Sequence, residues 1–296
     1  MIFQKWNRPE FLQARIEVTV LRSDLIHPWM QGNKWYKLQP FLEEVARRNL
    51  EGYASLGGPF SNHLIALAYA AFEQKKKAVF LIRGGREEWI QNPAIQQMSD
   101  WGVQLIPINR TDYRLLHSGE IDWKSFVSGS SSYCFVPLGG SSPNSILSVA
   151  GWAEAISKAI EIETVVLPVA SAGTISGFAV GLDSNKNILG IEVLKSNGGM
   201  SIESDRLISE SGQVHSSRTI WNADYHFGGY ARHTEELKSF CRQVSKDEIF
   251  PIEPIYSGKA FFAVSDLARK GYFHEGSRIL LVHTGGIFPW NSALNG

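Results

Sequence analysis

Lys34 is the first residue whose neighbours suit it for chemistry. It follows the turn-forming pair Gly32-Asn33 and precedes apolar residues at helical spacing. A lysine at the start of a helix can project into a cleft, where partial desolvation lowers its basicity and lets its amine form imines. Lys37 lies three residues on, so both amines share one face of the predicted helix. Taken alone, however, this segment is more typical of an ordinary turn.

A second segment, residues 170–174, joins a predicted strand to a predicted helix through small residues only. Small side chains let backbone N–H groups close around a phosphate, and the helix N-terminus adds a favourable dipole. A tight turn with a Ser or Thr cap explains the segment equally well. The glycine spacing of dinucleotide sites and the Gly-Lys-Ser/Thr ending of a P-loop are missing, which favours a ligand smaller than a nucleotide. The segment reads Ala170, Ser171, Ala172, Gly173 and Thr174.

A third segment, residues 57–63, also joins a predicted strand to a predicted helix. The start of that helix could hold a carboxylate through the Ser61 hydroxyl and the amides after it, at Asn62 and His63. His63 alone is more often structural than catalytic. The eight histidines show no metal-ligand spacing, so no metal site is predicted. A Gly-x-Ser-x-Gly nucleophile elbow is also missing, which weakens a hydrolase interpretation.

Strands that alternate with helices must position these segments. Short apolar runs followed by Gly- and Ser-rich loops and helical periodicity predict an α/β protein with parallel sheets, whose ligands gather at the carboxyl ends of the strands. A helix is predicted to begin near Asn92-Pro93 and to end around Trp101-Gly102. Pro168 is awkward inside a strand, and residues 109–132 are predicted to form a polar surface excursion. The predicted strands are 53–56, 78–82, 103–108, 164–169, 188–194 and 279–282.

The bulk composition narrows the function classes. The chain has 296 residues, 44% hydrophobic, which is enough for two lobes. Its 29 basic and 29 acidic residues cancel, so no overall field favours nucleic acid or an anionic membrane. Cys134 and Cys241 are far apart, which is typical of a reducing compartment. No signal peptide or membrane span is predicted. A soluble cytoplasmic protein is therefore expected.

Five motifs in order, spread over residues 21–290, resemble one family of enzymes that depend on pyridoxal 5′-phosphate (PLP). This family contains 1-aminocyclopropane-1-carboxylate (ACC) deaminase and D-cysteine desulfhydrase, and it is related in fold to the tryptophan synthase β-subunit (fold type II). The motifs are Gly32-Asn33-Lys34 with Lys37-Leu38, Gly57-Gly58 with Ser61-Asn62, the 170–174 loop, Tyr256-Ser257-Gly258-Lys259, and His283-Thr284-Gly285-Gly286.

The resemblance implies an architecture of two lobes. Each lobe is expected to be an open, twisted, mainly parallel sheet with helices on both faces, and PLP is expected in the cleft between the lobes. Residues 1–39 plus 148–296 would form the larger, PLP-binding lobe, and residues 40–147 the smaller one. Family members are usually dimers, so a homodimer acting on a small amino acid is expected.

The resemblance also implies a role for each matching residue. Lys34 matches the Schiff-base lysine, and Lys37 a nearby lysine that supports the cofactor site. Asn62 matches the residue that hydrogen-bonds the 3′-oxygen of the cofactor, and Ser61 a serine on the substrate side. The loop of Ala170, Ser171, Ala172, Gly173 and Thr174 matches the phosphate loop. Tyr256, and less closely Tyr230, match active-site tyrosines.

Two departures from ACC deaminase indicate which reaction to expect. Ser257 and Thr284 stand where the resemblance would place glutamate and leucine. A hydroxyl beside the pyridine nitrogen leaves it unprotonated and makes a weaker electron sink than a carboxylate would. This suits α,β-elimination of D-cysteine type, with Lys34 taking the α-proton, better than cyclopropane ring opening.

Other functions stay open at this point. ACC deaminase is the alternative, and racemase or dehydratase activity on D-serine-like substrates is a third interpretation. A PLP-binding or amino-acid-binding protein with little turnover is a fourth, because Trp35-Tyr36 stands where many relatives carry smaller or basic residues.

Overall fold

The computed structural model describes residues 1–89, 91–247 and 250–290. Within these ranges the strands belong to two separate sheets. In chain order the strands are β1 (Phe3–Lys5), β2 (Glu17–Leu21), β3 (Gly52–Gly57), β4 (Lys77–Arg83), β5 (Gln104–Ile108), β6 (Tyr133–Val136), β7 (Thr164–Val169), β8 (Asn187–Glu192), β9 (Arg218–Asn222) and β10 (Arg278–Val282).

Helices connect most of these strands. Within the described ranges, none of them has both the length and the apolar character needed to cross a membrane. The α-helices are α1 (Pro9–Ala14), α2 (Asn33–Arg48), α3 (Asn62–Glu73), α4 (Pro93–Asp100), α5 (Arg110–Ser118), α6 (Pro143–Ala159), α7 (Gly173–Gly181), α8 (Gly199–Glu210), α9 (Glu235–Asp247) and α10 (Ser257–Arg269).

Both sheets are mainly parallel. The larger has the order β1-β2-β10-β7-β8-β9, in which only the β1–β2 pair of the described strands is antiparallel, and the smaller has the order β5-β4-β3-β6. Parallel strands bring their carboxyl ends to one edge of a sheet, so the loops that follow them lie together. The predicted α/β class with parallel sheets is confirmed.

The larger sheet is covered by helices on both faces, and its strand residues alternate between the two sides. Val165 and Leu167 pack in one core cluster with residues of α6 and α7. Val166, between them, packs in another cluster with residues of α10. Each fully buried side chain of this kind stabilises the fold by about 1.5–3 kcal/mol. The sheet is therefore a rigid base for the loops at its carboxyl edge.

Two local predictions, the start of a helix near Asn92 and the awkward position of Pro168, can be compared with the structure. The helix predicted near Asn92-Pro93 is confirmed as α4, since the Asn92 side chain accepts hydrogen bonds from the N–H of Ala94 at 3.0 Å and of Ile95 at 3.3 Å. Pro168 lies inside β7, although a proline cannot donate to a ladder. The pairing of β7 with β10 ends at Val166, so Pro168 has a strand neighbour only on the β8 side.

The prediction for residues 109–132 missed a helix. α5 begins after Asn109, whose side chain accepts a hydrogen bond from the Asp112 N–H at 2.8 Å, and it ends at Gly119 with a φ of 78°. Only Leu116 of this nine-residue helix is buried, and the segment is polar on average, so in the sequence it resembles an exposed loop. The correction affects the site, because α5 borders the cavity described next.

Candidate active site

A cavity of about 280 Å³ lies where the carboxyl ends of strands from both sheets meet. Loops from the two sheets supply opposite walls. The smaller sheet contributes residues 61–63 after β3 and Arg83 at the end of β4, and the larger sheet contributes residues 168–172 at the end of β7 and Thr284 after β10. Lys34, at the start of α2, also lines the cavity.

Lys34 is held in this cavity by the turn before it. Gly32 has a φ of 58°, and a Cβ there would lie 2.1 Å from the carbonyl oxygen of Thr284, so only glycine fits. The Lys34 amine donates a hydrogen bond to Asn33 Oδ1 at 3.1 Å, and Asn33 Nδ2 donates to Thr174 Oγ1 at 2.7 Å. Burial lowers the pKa of Lys34 to about 8. The amine therefore becomes neutral, and nucleophilic, far more readily than an ordinary lysine.

The 170–174 loop leads directly into α7, so the N–H groups of a helix N-terminus face the cavity. Ala172 has a φ of 51°, a conformation that non-glycine residues rarely adopt. A Cβ at Gly173 would lie 2.6 Å from Ser141 Oγ and 2.9 Å from Lys37 Nζ. At Gly173 the loop therefore packs tightly against Ser141 and Lys37, and these two residues constrain its conformation.

Lys37 lies behind this loop and outside the cavity lining. Its side chain is fully buried, and its Nζ donates hydrogen bonds to Ser141 Oγ at 2.7 Å and Ser171 Oγ at 3.3 Å. Ser141 Oγ in turn donates to the Ser171 carbonyl at 2.8 Å. Burial, followed by the charge of Lys34, holds the pKa of Lys37 well below its usual value. The network fixes the 170–174 loop to the start of α2.

Ser61 and Asn62 form the start of α3, and His63 follows them into the cavity wall. Ser55 Oγ donates to the Val136 carbonyl at 2.7 Å, so its other contact, His63 Nε2 at 2.8 Å, must be the donor of that hydrogen bond. Burial, then the charges of Lys34 and Lys37, holds the pKa of His63 well below 6.5. His63 is therefore neutral, and its Nδ1 is an acceptor without a partner among the described residues.

Tyr230 and Tyr256 line the cavity together, with ring centroids 6.2 Å apart. Burial raises the pKa of Tyr256 well above 10, with a further contribution from Tyr230, and burial also raises the pKa of Tyr230. Both hydroxyls are therefore protonated at neutral pH and can donate hydrogen bonds. The segment that carries Tyr230 is held by Lys259, whose buried Nζ donates to the carbonyls of Val193, His226 and Gly229, each at 2.9 Å.

Ser257 lies outside the cavity lining, unlike Thr284. Its Oγ donates to Glu253 Oε1 at 3.0 Å, and the same oxygen accepts from the Ser257 N–H at 2.7 Å. Burial raises the pKa of Glu253 to about 7. This placement favours Thr284 over Ser257 as the hydroxyl that faces a ligand, and contact of Ser257 with the cofactor stays a prediction. Sequence reasoning did not single out Glu253.

Trp35 and Tyr36 also lie outside the lining, although they flank Lys34 and Lys37. The Trp35 ring stacks on His27 at 5.6 Å, and the Tyr36 ring stacks on Trp152 at 4.3 Å. Their size therefore anchors α2 to its neighbours and leaves the shape of the described cavity wall to other residues.

Other lining residues were not predicted, and Arg83 is the most notable of them. Its guanidinium lies 5.3 Å from the ring centroid of Tyr113 and 5.5 Å from that of Tyr230. Tyr113 and His117 reach the cavity from α5, and Asn33 from the start of α2. The sequence did carry one signal, because Arg83 directly follows the apolar run 78–82 at the carboxyl end of a strand, where ligands gather.

The fold and this cavity define an α/β enzyme with a buried lysine in a cavity between two sheets. Residues 13–285 match the family model of pyridoxal-phosphate dependent enzymes, and the chain belongs to this family. PLP is therefore its cofactor.

Three of the similar proteins illustrate the activities named among its relatives. A D-cysteine desulfhydrase of Klebsiella pneumoniae is 26% identical, and the alignment covers 91% of this chain and 87% of that one. An ACC deaminase of Rhizobium leguminosarum bv. viciae is also 26% identical, with coverage of 90% and 84%. The crystal structure of an ACC deaminase homologue superposes with a TM-score of 0.84 at 26% identity, covering 99% of this chain and 92% of that one.

The residues present fit PLP. An amine with a pKa of about 8 can form the imine that this cofactor requires, and a small-residue loop at a helix N-terminus suits a phosphate. Four residues of this loop, Ala170, Ser171, Ala172 and Thr174, line the cavity.

Proposed function

We propose that this enzyme catalyses α,β-elimination on a small amino acid, in the manner of a D-cysteine desulfhydrase. The products would be a keto acid, ammonia and a leaving group such as sulfide. One observation carries the proposal: among the described residues the cavity lining contains the Thr284 hydroxyl but no carboxylate. A pyridine nitrogen that faces a hydroxyl stays unprotonated, which favours prompt loss of a good leaving group over cyclopropane ring opening.

The roles proposed for the chain's own groups follow from their positions. The 170–174 loop holds the phosphate, Asn62 the ring oxygen and Thr284 the ring nitrogen, while Lys37 fixes the loop from behind. The cofactor supplies an electron sink for the carbanion at Cα.

The substrate side of the cavity has a corresponding set of roles. The Ser61 hydroxyl and the backbone N–H groups of Asn62 and His63 bind the substrate carboxylate at the start of α3. Lys34, with its lowered pKa, takes the α-proton. Tyr256 and Tyr230, both protonated at neutral pH, donate hydrogen bonds near the leaving group.

The test is an assay of the PLP-loaded enzyme with D- and L-cysteine, measuring sulfide and pyruvate together. Lys34→Ala should abolish both products and the visible absorbance of the lysine-bound cofactor. Lys158→Ala, at an exposed position of α6, is the matched control and should keep both. If wild-type enzyme releases neither product from either enantiomer, this assignment is wrong.

ACC deaminase is the second candidate, and the similarity to the Rhizobium enzyme favours it. Release of 2-oxobutanoate from ACC, with no sulfide from cysteine, would establish it instead. If amino acids change the cofactor absorbance but no keto acid forms, the protein is a racemase or a binding protein, and the optical rotation of recovered D-serine distinguishes these two.

Three broader expectations also remain proposals. They are a division into residues 1–39 plus 148–296 and residues 40–147 as two lobes, a cytoplasmic location, and a homodimer. Sedimentation equilibrium of the loaded enzyme tests the last directly.

A further inference from the structure

Arg83 carries a positive charge into the active-site cavity without a counter-charge among the described residues. It is the last residue of β4, it is partly buried, and its guanidinium lies between the rings of Tyr113 and Tyr230. Among the side chains that the structure describes, no carboxylate forms an ion pair with Arg83, and the described cavity lining contains no acidic residue. The two aromatic rings weakly favour the charge, but they do not neutralise it.

A partly desolvated cation is unfavourable unless an anion joins it. In a cavity that binds substrate, that anion is supplied by the ligand. The planar guanidinium of an arginine is suited to bidentate contact with a carboxylate or another oxyanion.

The strand order of the smaller sheet shows which anion this is. The segment that follows β6 approaches the 170–174 loop at Gly139, because a Cβ added there would lie 2.4 Å from Ser171 Oγ. β3, with Ser61 after it, is the next strand, and β4, with Arg83 at its end, comes after that. Gly57 pairs with Ile82, so Arg83 lies about 4.8 Å, one strand spacing, beyond the start of the loop that holds Ser61. Arg83 is therefore farther from the phosphate loop than the proposed site of the substrate α-carboxylate.

We propose that Arg83, Tyr113 and Tyr230 form a subsite for a negatively charged group on the side chain of the substrate. The enzyme then prefers amino acids whose β-substituent is a small oxyanion, such as a carboxylate, sulfonate or phosphate ester, over neutral side chains of equal size. This inference rests on the proposed function, because it assumes that the cavity binds a small amino acid.

The experiment compares two ligands that differ in charge but not in size. PLP-loaded enzyme is titrated with aspartate and with asparagine, each as both enantiomers. Binding is read from the change in the visible absorbance of the cofactor, which does not require turnover. An added charge-assisted hydrogen bond makes aspartate bind about tenfold to a hundredfold more tightly than asparagine.

Arg83→Gln tests the assignment to this side chain. The variant should lower the aspartate-to-asparagine affinity ratio to about one while asparagine affinity and cofactor content stay at wild-type levels. Arg86→Gln is the matched control, because Arg86 is exposed three residues on and lies outside the cavity lining. It should keep the wild-type ratio.

The other possible results would each contradict the proposed subsite, and each result points to a different reason. A ratio near one in wild type, or an unchanged ratio in Arg83→Gln, shows that the side chain of the ligand does not meet Arg83. Equal weakening of aspartate and asparagine in Arg83→Gln shows that Arg83 binds the α-carboxylate instead. If none of these ligands changes the absorbance and no keto acid forms from any amino acid, the proposed function fails and the subsite fails with it.

Discussion

Replacing Gly173 with alanine tests whether the conformation of the 170–174 loop, the proposed phosphate site, depends on its contacts with Ser141 and Lys37. The added Cβ would lie 2.6 Å from Ser141 Oγ, 2.9 Å from Ser141 Cβ and 2.9 Å from Lys37 Nζ, all closer than carbon normally approaches such atoms. Ser141 and Lys37 are buried and hydrogen-bonded to each other, so neither can move without losing that bond. Overpacking of this kind costs about 1–3 kcal/mol in free energy of unfolding.

The effect on the cofactor should exceed the effect on the fold. Displacing the start of α7 moves the loop amides away from the phosphate, so the PLP dissociation constant rises along with the loss of stability. Urea unfolding followed by tryptophan fluorescence measures the first quantity, and titration of apoenzyme with PLP, followed by visible absorbance, measures the second.

Two matched variants isolate the cause. Gly151→Ala adds the same methyl within α6, where nothing lies within 4 Å of the new Cβ, and should stabilise the fold by about 0.5–1 kcal/mol through helix propensity. Ser141→Gly in the Gly173→Ala background removes the nearest atoms, so the two substitutions should be less harmful together than their separate effects add up to. Strict additivity, or wild-type PLP affinity in Gly173→Ala, would refute the reasoning.

Three further predictions concern buried ionisable groups. Only the neutral amine of Lys34 attacks the aldehyde of PLP, so the rate of cofactor binding should rise with pH about a midpoint near 8; a midpoint near 10.5 would contradict the lowered pKa. The raised pKa of Glu253 means that stability from its protonated form is fully present below pH 4.5 and is lost as pH rises through 7. Glu253→Gln should therefore unfold with a flatter pH dependence than wild type across that window. Lys259→Met should lose about 3 kcal/mol of stability by stranding three carbonyls, and should weaken substrate binding by releasing Tyr230, whereas Lys158→Met should do neither.

The sequence predicted the parts of the fold that rest on local patterns. Buried parallel strands are continuous apolar runs, so 164–169 and 279–282 were recognisable as β7 and β10. The cap of α4 was predictable because Asn-Pro acts within one turn. α5 was missed because it is short and polar on average, and a polar stretch with a single buried residue was interpreted as a surface loop.

The site was predictable only in part, for a related reason. Lys34 and the 170–174 loop lie in short motifs, and the structure brings both to one cavity with Thr284. The partner of Ser257 is a carboxylate four residues earlier that no motif marked, and the environment of Arg83 depends on two rings from distant segments. Contacts of this kind arise from strand order, which one sequence does not display.

The stepwise arrangement of strand ends along the smaller sheet also bears on how such enzymes diverge. Position 83 ends β4 and position 113 follows β5, the two strands of the smaller sheet farthest from the 170–174 loop, and the residues beneath that loop belong to other segments. After a gene duplication, one copy can accept mutations at these two positions while the residues proposed to bind the cofactor stay unchanged. The identities of residues 83 and 113 should therefore group the descendants of such a duplication by substrate preference, however much the rest of their sequences has diverged.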